Sequence, residues 1–324
     1  MRLKTKAWFL AFASAMVVTT AAFADDYPTR PVKLNVGYAP GGAPDTAARI
    51  IGQRLSQILK QSFIVENRPG AGATLAAAQT AKAAADGYTL SVADVGELTI
   101  APYIYNALPY DTAKDFTPIG LAVVAPMVLM SNAKTTNIKT LADLIRQAKA
   151  NPGKLNYGSA GIGSIHHIAM EMFKSDAGID IVHIPYKGSG QSVPAFLGGE
   201  VQLVMTGFTQ ALPYAKSGQV NLLAETSAKR YPGAPEVAPL SDFYPGYDYA
   251  AEIGFLAPAG VSPEIVAKLS AALKTALEDP ETQEKLKTVG LIPSWLSPQA
   301  YAENLRQNLK KYKRAVDVAH VTPK

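Results

Sequence analysis

The chain has 324 residues, no cysteine and a formal net charge of +5. The lack of cysteine excludes disulfides, thiolate nucleophiles and thiolate metal sites together, and it is compatible with an oxidising compartment. Part of the positive charge sits in a short N-terminal segment, so the balance does not argue for a nucleic-acid partner.

Arg2, Lys4 and Lys6 precede an apolar run from Ala7 to about Val18, and Ala22-Phe23-Ala24 stands ahead of Asp25-Asp26. This is the layout of a cleavable secretory signal over residues 1–24, with cleavage expected after Ala24 and export to the periplasm. The run is shorter than the ~20 residues that span a bilayer. Removing 24 residues leaves 300 and lowers the net charge from +5 to +2. A chain that long exceeds what one hydrophobic core serves, so two lobes are expected.

Along the remaining chain, strand-like runs alternate with amphipathic helices, the pattern of an α/β protein whose mostly parallel sheets are flanked by helices. Val32, Leu34, Val36 and Tyr38 alternate as a strand, and Ile51, Leu55, Ile58 and Leu59 share one helical face. Phe63–Glu66 begins a second unit, with an alanine-rich helix running to about Ala85. Asp86-Gly87 then turns the chain into a strand over Tyr88–Ala93. Thr140 caps a helix with Asp143 three residues on, and Asn151-Pro152-Gly153 stops it. Further strands read at 155–158, 181–186, 201–205 and 220–224. Ser262-Pro263 and Ser297-Pro298 each present an N-cap followed by proline. Residues 119–126 and 249–258 are the expected crossovers, which divides the chain into 25–124 plus 249–324 as lobe 1 and 125–248 as lobe 2. The cleft between such lobes, at the strand ends, is the expected ligand site.

Two glycine-rich turns lie between a strand and a helix, Tyr38–Asp45 and Tyr157–Ser164. Glycine allows a ligand to approach the backbone closely, and the helix that follows offers unpaired N–H groups at the positive end of its dipole. Two such cradles across a cleft suit a ligand with a carboxylate at each end. Asp45 reads best as a residue that caps backbone N–H groups and pairs with Arg49, holding the first turn in shape. His166 and His167 are adjacent and point about 100° apart on a helix, so no metal site is expected there.

Several segments together resemble the Bug-type (TctC-like) receptors of tripartite tricarboxylate transporters. They are Tyr27–Pro31, the Ala39–Asp45 turn with Arg49, Val65–Gly72, Asp86–Leu90, Leu108–Asp111, Asp115-Phe116, Ala150–Leu155, Gly158–His167, Pro185–Gly188, Gly198-Gly199 and Ala257–Gly260. The resemblance covers nearly the whole mature chain. It implies a two-lobed Venus-flytrap receptor that encloses a small organic acid, needs no cofactor, and passes its cargo as a monomer to integral-membrane transporter subunits. It also implies a first-lobe site at Ala39, Gly41, Gly42 and Ala43, and a second-lobe site at Ser159, Gly161, Gly163 and Ser164. His167 occupies the family's histidine position, and Tyr186 and Thr209 are expected to approach the cleft.

Two positions depart from the resemblance. Asp94 follows the Tyr88-Thr89-Leu90 strand where the family has small or hydroxylated residues, and Glu252 stands where it often has tryptophan. Carboxylates beside a dianion repel it where water is excluded. Asp94, together with Glu252, is therefore expected to face an amino or other donor group of the ligand, which keeps dicarboxylate, aromatic acid and amino acid all open; the competing expectation turns them away from the cleft. An esterase would need a G-x-S-x-G elbow, which the sequence lacks. A dinucleotide fingerprint at Gly70-Ala71-Gly72 fails at Leu75, where the third glycine belongs. An exported ligand-sensing adaptor remains the alternative to an uptake receptor.

Overall fold

The computed structural model describes residues 27–321, so the expected signal segment lies outside the described residues. The first lobe opens with β1 (Val32–Val36), α1 (Ala43–Leu59), β2 (Phe63–Asn67), α2 (Thr74–Ala81) and β3 (Thr89–Ala93). A π-type turn over Gly96–Ile100 leads into α3 (Ala101–Ile104), followed by β4 (Phe116–Ala125). The second lobe is β5 (Met127–Asn132), α4 (Leu141–Ala150), β6 (Asn156–Ser159), α5 (Ile165–Ala177), β7 (Val182–Pro185), α6 (Ser189–Leu197), β8 (Leu203–Gly207), α7 (Phe208–Lys216) and β9 (Val220–Glu225). The chain then returns through β10 (Ala251–Pro258), α8 (Pro263–Glu278), α9 (Pro280–Thr288), β11 (Ile292–Leu296) and α10 (Pro298–Val318).

The six-stranded sheet of the first lobe runs β11-β4-β10-β3-β1-β2, and the five-stranded sheet of the second runs β7-β6-β8-β5-β9. Both are mixed, which corrects the expectation of mostly parallel strands. β2, β1 and β3 are parallel, as are β7, β6 and β8, but β10 runs antiparallel to both β3 and β4, and β5 to both β8 and β9. The returning strands enter from the opposite end because the chain has already crossed to the other sheet. The stretches expected as crossovers are also mostly strand. β4 and β10 pair over almost their whole length, which leaves the passage between sheets to Pro126 and to residues 226–250.

Local chemistry follows the sequence closely where short-range signals act. Thr140 accepts the Asp143 N–H at 3.1 Å while the Asp143 carboxylate takes the Thr140 N–H at 3.1 Å, a closed capping box. Ser262 and Ser297 cap α8 and α10, each with proline in the first turn. The helix after β2 ends at Ala81, and Tyr88 donates its N–H to Asp86 Oδ1 at 3.0 Å, so residues 82–88 belong to the turn. Leu34 of β1 meets α1 at Gly52, whereas the Asn35 side chain lies on the other side, its Nδ2 donating to Thr80 Oγ1 of α2 at 3.0 Å. The two helices therefore cover opposite faces of the first sheet, as alternation along a strand requires. α10 covers β4 and also packs on α5 of the second lobe.

Because β1 and β3 are parallel, their C-terminal ends deliver the Gly37–Gly42 and Asp94–Gly96 segments to one edge of the first sheet. The parallel β6 and β8 deliver the Ser159–Ser164 turn and the start of α7 to one edge of the second. The edges face each other, for a Cβ at Gly163 would lie 2.1 Å from Ile104 Cδ1. Across the same seam Thr209 donates its hydroxyl to the Val289 carbonyl at 2.5 Å, and Tyr231 donates to the Lys287 carbonyl at 2.8 Å.

Candidate ligand site

In the first-lobe turn, Gly41 adopts φ +88° and Gly42 is the N-cap of α1 with no side chain capping it. A Cβ at Gly41 would meet nothing within 4 Å, so the turn is open. Pro44 has no N–H to offer, and the N–H groups of Ala43 and Asp45 have no partner among the described residues. These are donors at the positive end of a 17-residue helix, with Ala39 at the rim of the same turn.

Asp45 does not face the cleft. Its carboxylate is buried and accepts from Gly41 N–H at 2.9 Å, Asn67 Nδ2 at 2.8 Å and Arg49 Nε at 3.1 Å. Asn67 also donates to the Tyr38 carbonyl at 3.0 Å, so one residue of β2 ties down both ends of the turn. Burial alone would raise the Asp45 carboxyl, but the bonds from Arg49, Gly41 and Asn67 outweigh it and hold the group below its ordinary value. Asp45→Ala is expected to cost about 2 kcal/mol in denaturant unfolding, the loss of charge-assisted hydrogen bonds, and to weaken ligand binding by loosening Gly41. Unchanged affinity would show that the turn is held by other means.

The second-lobe turn is stapled by serines. Ser159 is fully buried; its Oγ accepts the Gly161 N–H at 3.0 Å and lies 2.6 Å from His183 Nε2. Ser164 is the N-cap of α5, its hydroxyl accepting the His167 N–H at 3.3 Å and donating to the Gly161 carbonyl at 2.8 Å. His167 Nδ1 accepts the Gly163 N–H at 3.1 Å, which puts the proton of the neutral ring on Nε2. Its ring stacks on His183 at 4.0 Å, and His183 stacks on Tyr157 at 4.9 Å. Burial pushes His167 down to about 4 and, with His167 beside it, His183 down to about 3. The histidines thus form a neutral pillar under the turn, and the N–H groups of Ile165 and His166 are left without a partner among the described residues.

Glycine is required at two places here, since Gly161 and Gly163 take φ +122° and +80°. Gly163 also seats Ile104. Gly163→Ala is expected to weaken ligand affinity about tenfold by adding left-handed strain and pushing the lobes apart. Calorimetry on Gly163→Ala with and without Ile104→Ala separates the causes. Failure of the second change to restore any affinity would leave the seat without a role.

The acids that depart from the resemblance are both hydrogen-bonded within the protein. Asp94 Oδ1 accepts from Tyr38 Oη at 2.8 Å and from Gly96 N–H at 2.6 Å. Glu97, which the sequence reading passed over, lies beside it: the same Tyr38 hydroxyl is 2.7 Å from Glu97 Oε2, and Asp94 N–H donates to Oε1 at 3.2 Å. Both acids are buried, and none of the ion pairs among the described residues reaches them. One phenolic proton cannot serve two carboxylates, so one acid keeps its own proton. Glu97 is that acid, raised well above its ordinary value first by burial and then by the charge of Asp94. Tyr38 is likewise raised, by burial and by both acids. Glu252 accepts from Asn308 Nδ2 of α10 at 2.9 Å.

Two expected hydroxyls are occupied elsewhere. Thr209 is engaged with Val289 across the seam, and Tyr186, whose N–H donates to the Ser159 carbonyl at 3.2 Å and whose backbone lies against Gly161 of the turn, donates its hydroxyl to Glu200 at 3.4 Å. A cavity of about 550 Å³ between the ends of α4, α5 and α10 lies away from both glycine turns and brings none of their donors together. The residues around the turns that sequence reading missed were Glu97 and His183. Of these only Glu97 carried a signal, a second acid one helical turn from Asp94.

The chain matches the family described as "Tripartite tricarboxylate transporter family receptor" over residues 47–320. It is 33% identical over 291 residues to protein BugT of Bordetella pertussis, covering 89% of this chain and 88% of that one. Among solved structures it is similar to an R. palustris protein with adipate, at TM-score 0.86 and 32% identity over 92% of this chain and all of that one. It is also similar to MatC from Rhodopseudomonas palustris with bound malate, at TM-score 0.80 and 29% identity, covering 90% of this chain and 100% of that one. With its two-lobed fold and paired glycine turns, the chain belongs to the tripartite tricarboxylate transporter receptor family and is a solute receptor, not an enzyme.

Proposed function

We propose that this receptor encloses a small organic carboxylate between its two lobes, in the periplasm, and delivers it as a monomer to the integral-membrane subunits of a tripartite transporter. The observation that carries the reading is the pair of helix starts, α1 and α5, one in each lobe, with unpartnered N–H groups beside open or positive-φ glycines. The adipate and malate held by the two similar structures support it. Donors that carry no full charge recognise a carboxylate without the desolvation cost of burying a countercharge. Ala39, Gly41, Gly42 and Ala43 would form one cradle, and Gly161, Gly163 and Ser164 the other, with Asp45, Ser159 and His167 shaping them from below. The lobes would divide at 124/125 and 248/249, and the mature chain would begin at Asp25.

The hydrogen bonds that Asp94 and Glu252 already accept within the protein favour a dicarboxylate or an aromatic acid over an amino acid. A ligand ammonium would find Asp94 buried, with Oδ1 already accepting from Tyr38 and Gly96. Mass spectrometry of the small molecule retained by the purified protein, followed by titration calorimetry on adipate, malate, benzoate and aspartate, tests the reading. Binding of aspartate alone would reverse the choice of class, and turnover of a bound acid would end the receptor reading. Edman sequencing of the exported protein should begin at Asp25.

A further inference from the structure

We propose that Tyr38 is a positioning residue of the first-lobe cradle, anchored by a pair of acids, Asp94 and Glu97, that keeps one proton between them, and that carboxylate binding is coupled to that proton. The inference rests on the carboxylate reading above and assigns pH dependence to side chains that need no contact with the ligand.

Tyr38 lies two residues past the end of β1 and one residue before Ala39, so its position sets where the cradle begins. It is fixed from three sides. Its carbonyl accepts from Asn67 Nδ2 at 3.0 Å, and the same amide nitrogen donates to Asp45, which holds the Gly41 N–H. Gly37 before it is pressed against Ala73, where an added Cβ would overlap both side chain and backbone. On the third side the Tyr38 hydroxyl lies 2.8 Å from Asp94 Oδ1 and 2.7 Å from Glu97 Oε2. The first two ties hold the backbone, and only the third depends on protonation. There is no slack in it, for a Cβ at Gly96 would lie 2.9 Å from both Tyr38 Oη and Asp94 Oδ1.

The phenol has one proton and faces two buried carboxyls, so the group is complete only while one acid is protonated. Also facing the pair are Tyr110, whose hydroxyl donates to the Glu97 carbonyl, Tyr301 and Tyr312 of α10, and Glu252 of β10. These are phenols and an acid, and none of them supplies a positive charge to hold two ionised carboxylates together. Loss of the proton therefore leaves like charges side by side where water is excluded, and the relief is a shift of Tyr38 or of the Asp94–Gly96 segment at the edge of the cradle. An arriving carboxylate at the start of α1 adds negative charge to the same region. Both effects favour the protonated pair in the bound state. The bound receptor thus keeps the proton to a higher pH than the free one, binding takes up a proton from solvent between those two points, and affinity falls as pH rises through them. Burial, followed by the charge of Asp94, raises Glu97 well above its ordinary value, clear of the region near about pH 4 where the ligand acids themselves titrate.

The test uses the full mature chain and titration calorimetry with adipate, malate and benzoate from about pH 6.5 to 9, above the ligands' own titration. Each titration is run in two buffers of different ionisation enthalpy, which counts the protons taken up. The native chain should bind its best acid with proton uptake and lose affinity by up to about tenfold per pH unit. Glu97→Gln keeps a permanent donor in place of the protonated acid, so its affinity should stay level with pH and its heat should not depend on buffer. Tyr38→Phe removes the tie and takes from both acids a hydrogen bond that favours their charged forms. Affinity should then fall about tenfold at the low end, and the pH profile should move upward, a displacement that lost packing alone does not produce. Glu225, pushed up to about 7 by burial, titrates in the same range, but it sits at the end of β9 against Tyr231 and Ser227, and Glu225→Gln should leave the slope in place. A native chain that binds an acid without proton uptake, a Glu97→Gln chain that keeps the native slope, or a slope abolished by Glu225→Gln would overturn the assignment while leaving the receptor reading intact. If the native chain binds none of the acids at any pH, the carboxylate reading falls first and this assignment with it.

Discussion

Glu97→Gln is more stable than the native protein at alkaline pH, and its advantage grows as the pH rises. The native Glu97 carboxyl keeps its proton well above the ordinary value, because it is buried and because Asp94 beside it carries the charge. The unfolded chain loses that proton near 4.5. Above that point the unfolded state is progressively favoured, by about 1.4 kcal/mol for each pH unit up to the folded value. This contribution to native stability is therefore complete in acid and lost as pH rises through the folded value. Glutamine keeps a permanent donor for the Tyr38–Asp94 group and has no proton to lose. Urea unfolding of both chains from pH 5 to 9 should give curves that diverge; parallel curves would mean the two acids share no proton. On the acid side the sign reverses. His166 and His167 are held down to about 4 by burial, so the unfolded chain takes up protons from about 6.5 that the native state refuses, and stability falls as pH drops through that window.

The second large effect is steric. Gly254→Ala should cost about 3 kcal/mol, at the upper end for overpacking, since the added Cβ would lie 2.4 Å from Cε1, Cζ and Oη of Tyr301. Tyr301 is 1% exposed and its ring is rigid, so neither partner can yield without moving α10 off the sheet. β10 sits between β3 and β4, which spreads the disturbance to the strand that carries Asp94. The Tyr301 hydroxyl is itself buried without a partner, so Tyr301→Phe should be neutral or stabilising and should reduce the cost of Gly254→Ala. Thermal unfolding of the two single variants and the double variant checks this. Equal penalties in both backgrounds would place the strain elsewhere than at the hydroxyl.

How much was legible depended on the range of the interaction. Thr140 with Asp143, Ser262-Pro263 and Ser297-Pro298 were readable because a cap is settled within three or four residues. The two glycine turns were readable for the same reason, and Asp45 behaved as the residue that shapes its turn. Sheet sense was not readable in this way. Alternation along β10 says that it is a strand, but its antiparallel place between β3 and β4 depends on where the chain re-enters after an excursion of more than a hundred residues. The partner of the Thr209 hydroxyl, the carbonyl of Val289, lies 80 residues later and left no local trace. Strand register alone did not reveal the partners of Asp94 and Glu252, which are Tyr38 and Asn308, 56 residues away in each case.

The sequence by itself determined an α/β chain of two lobes with a glycine turn before a helix in each, because hydrophobic period, caps and positive-φ glycines act over a few residues. Only the tertiary structure decided which polar side chains are already claimed by partners within the protein. Tyr38 claims Asp94 and Glu97, His183 claims Ser159, and Val289 claims Thr209. A side chain's availability is set by competing partners that arrive from distant parts of the chain, and no local pattern records them.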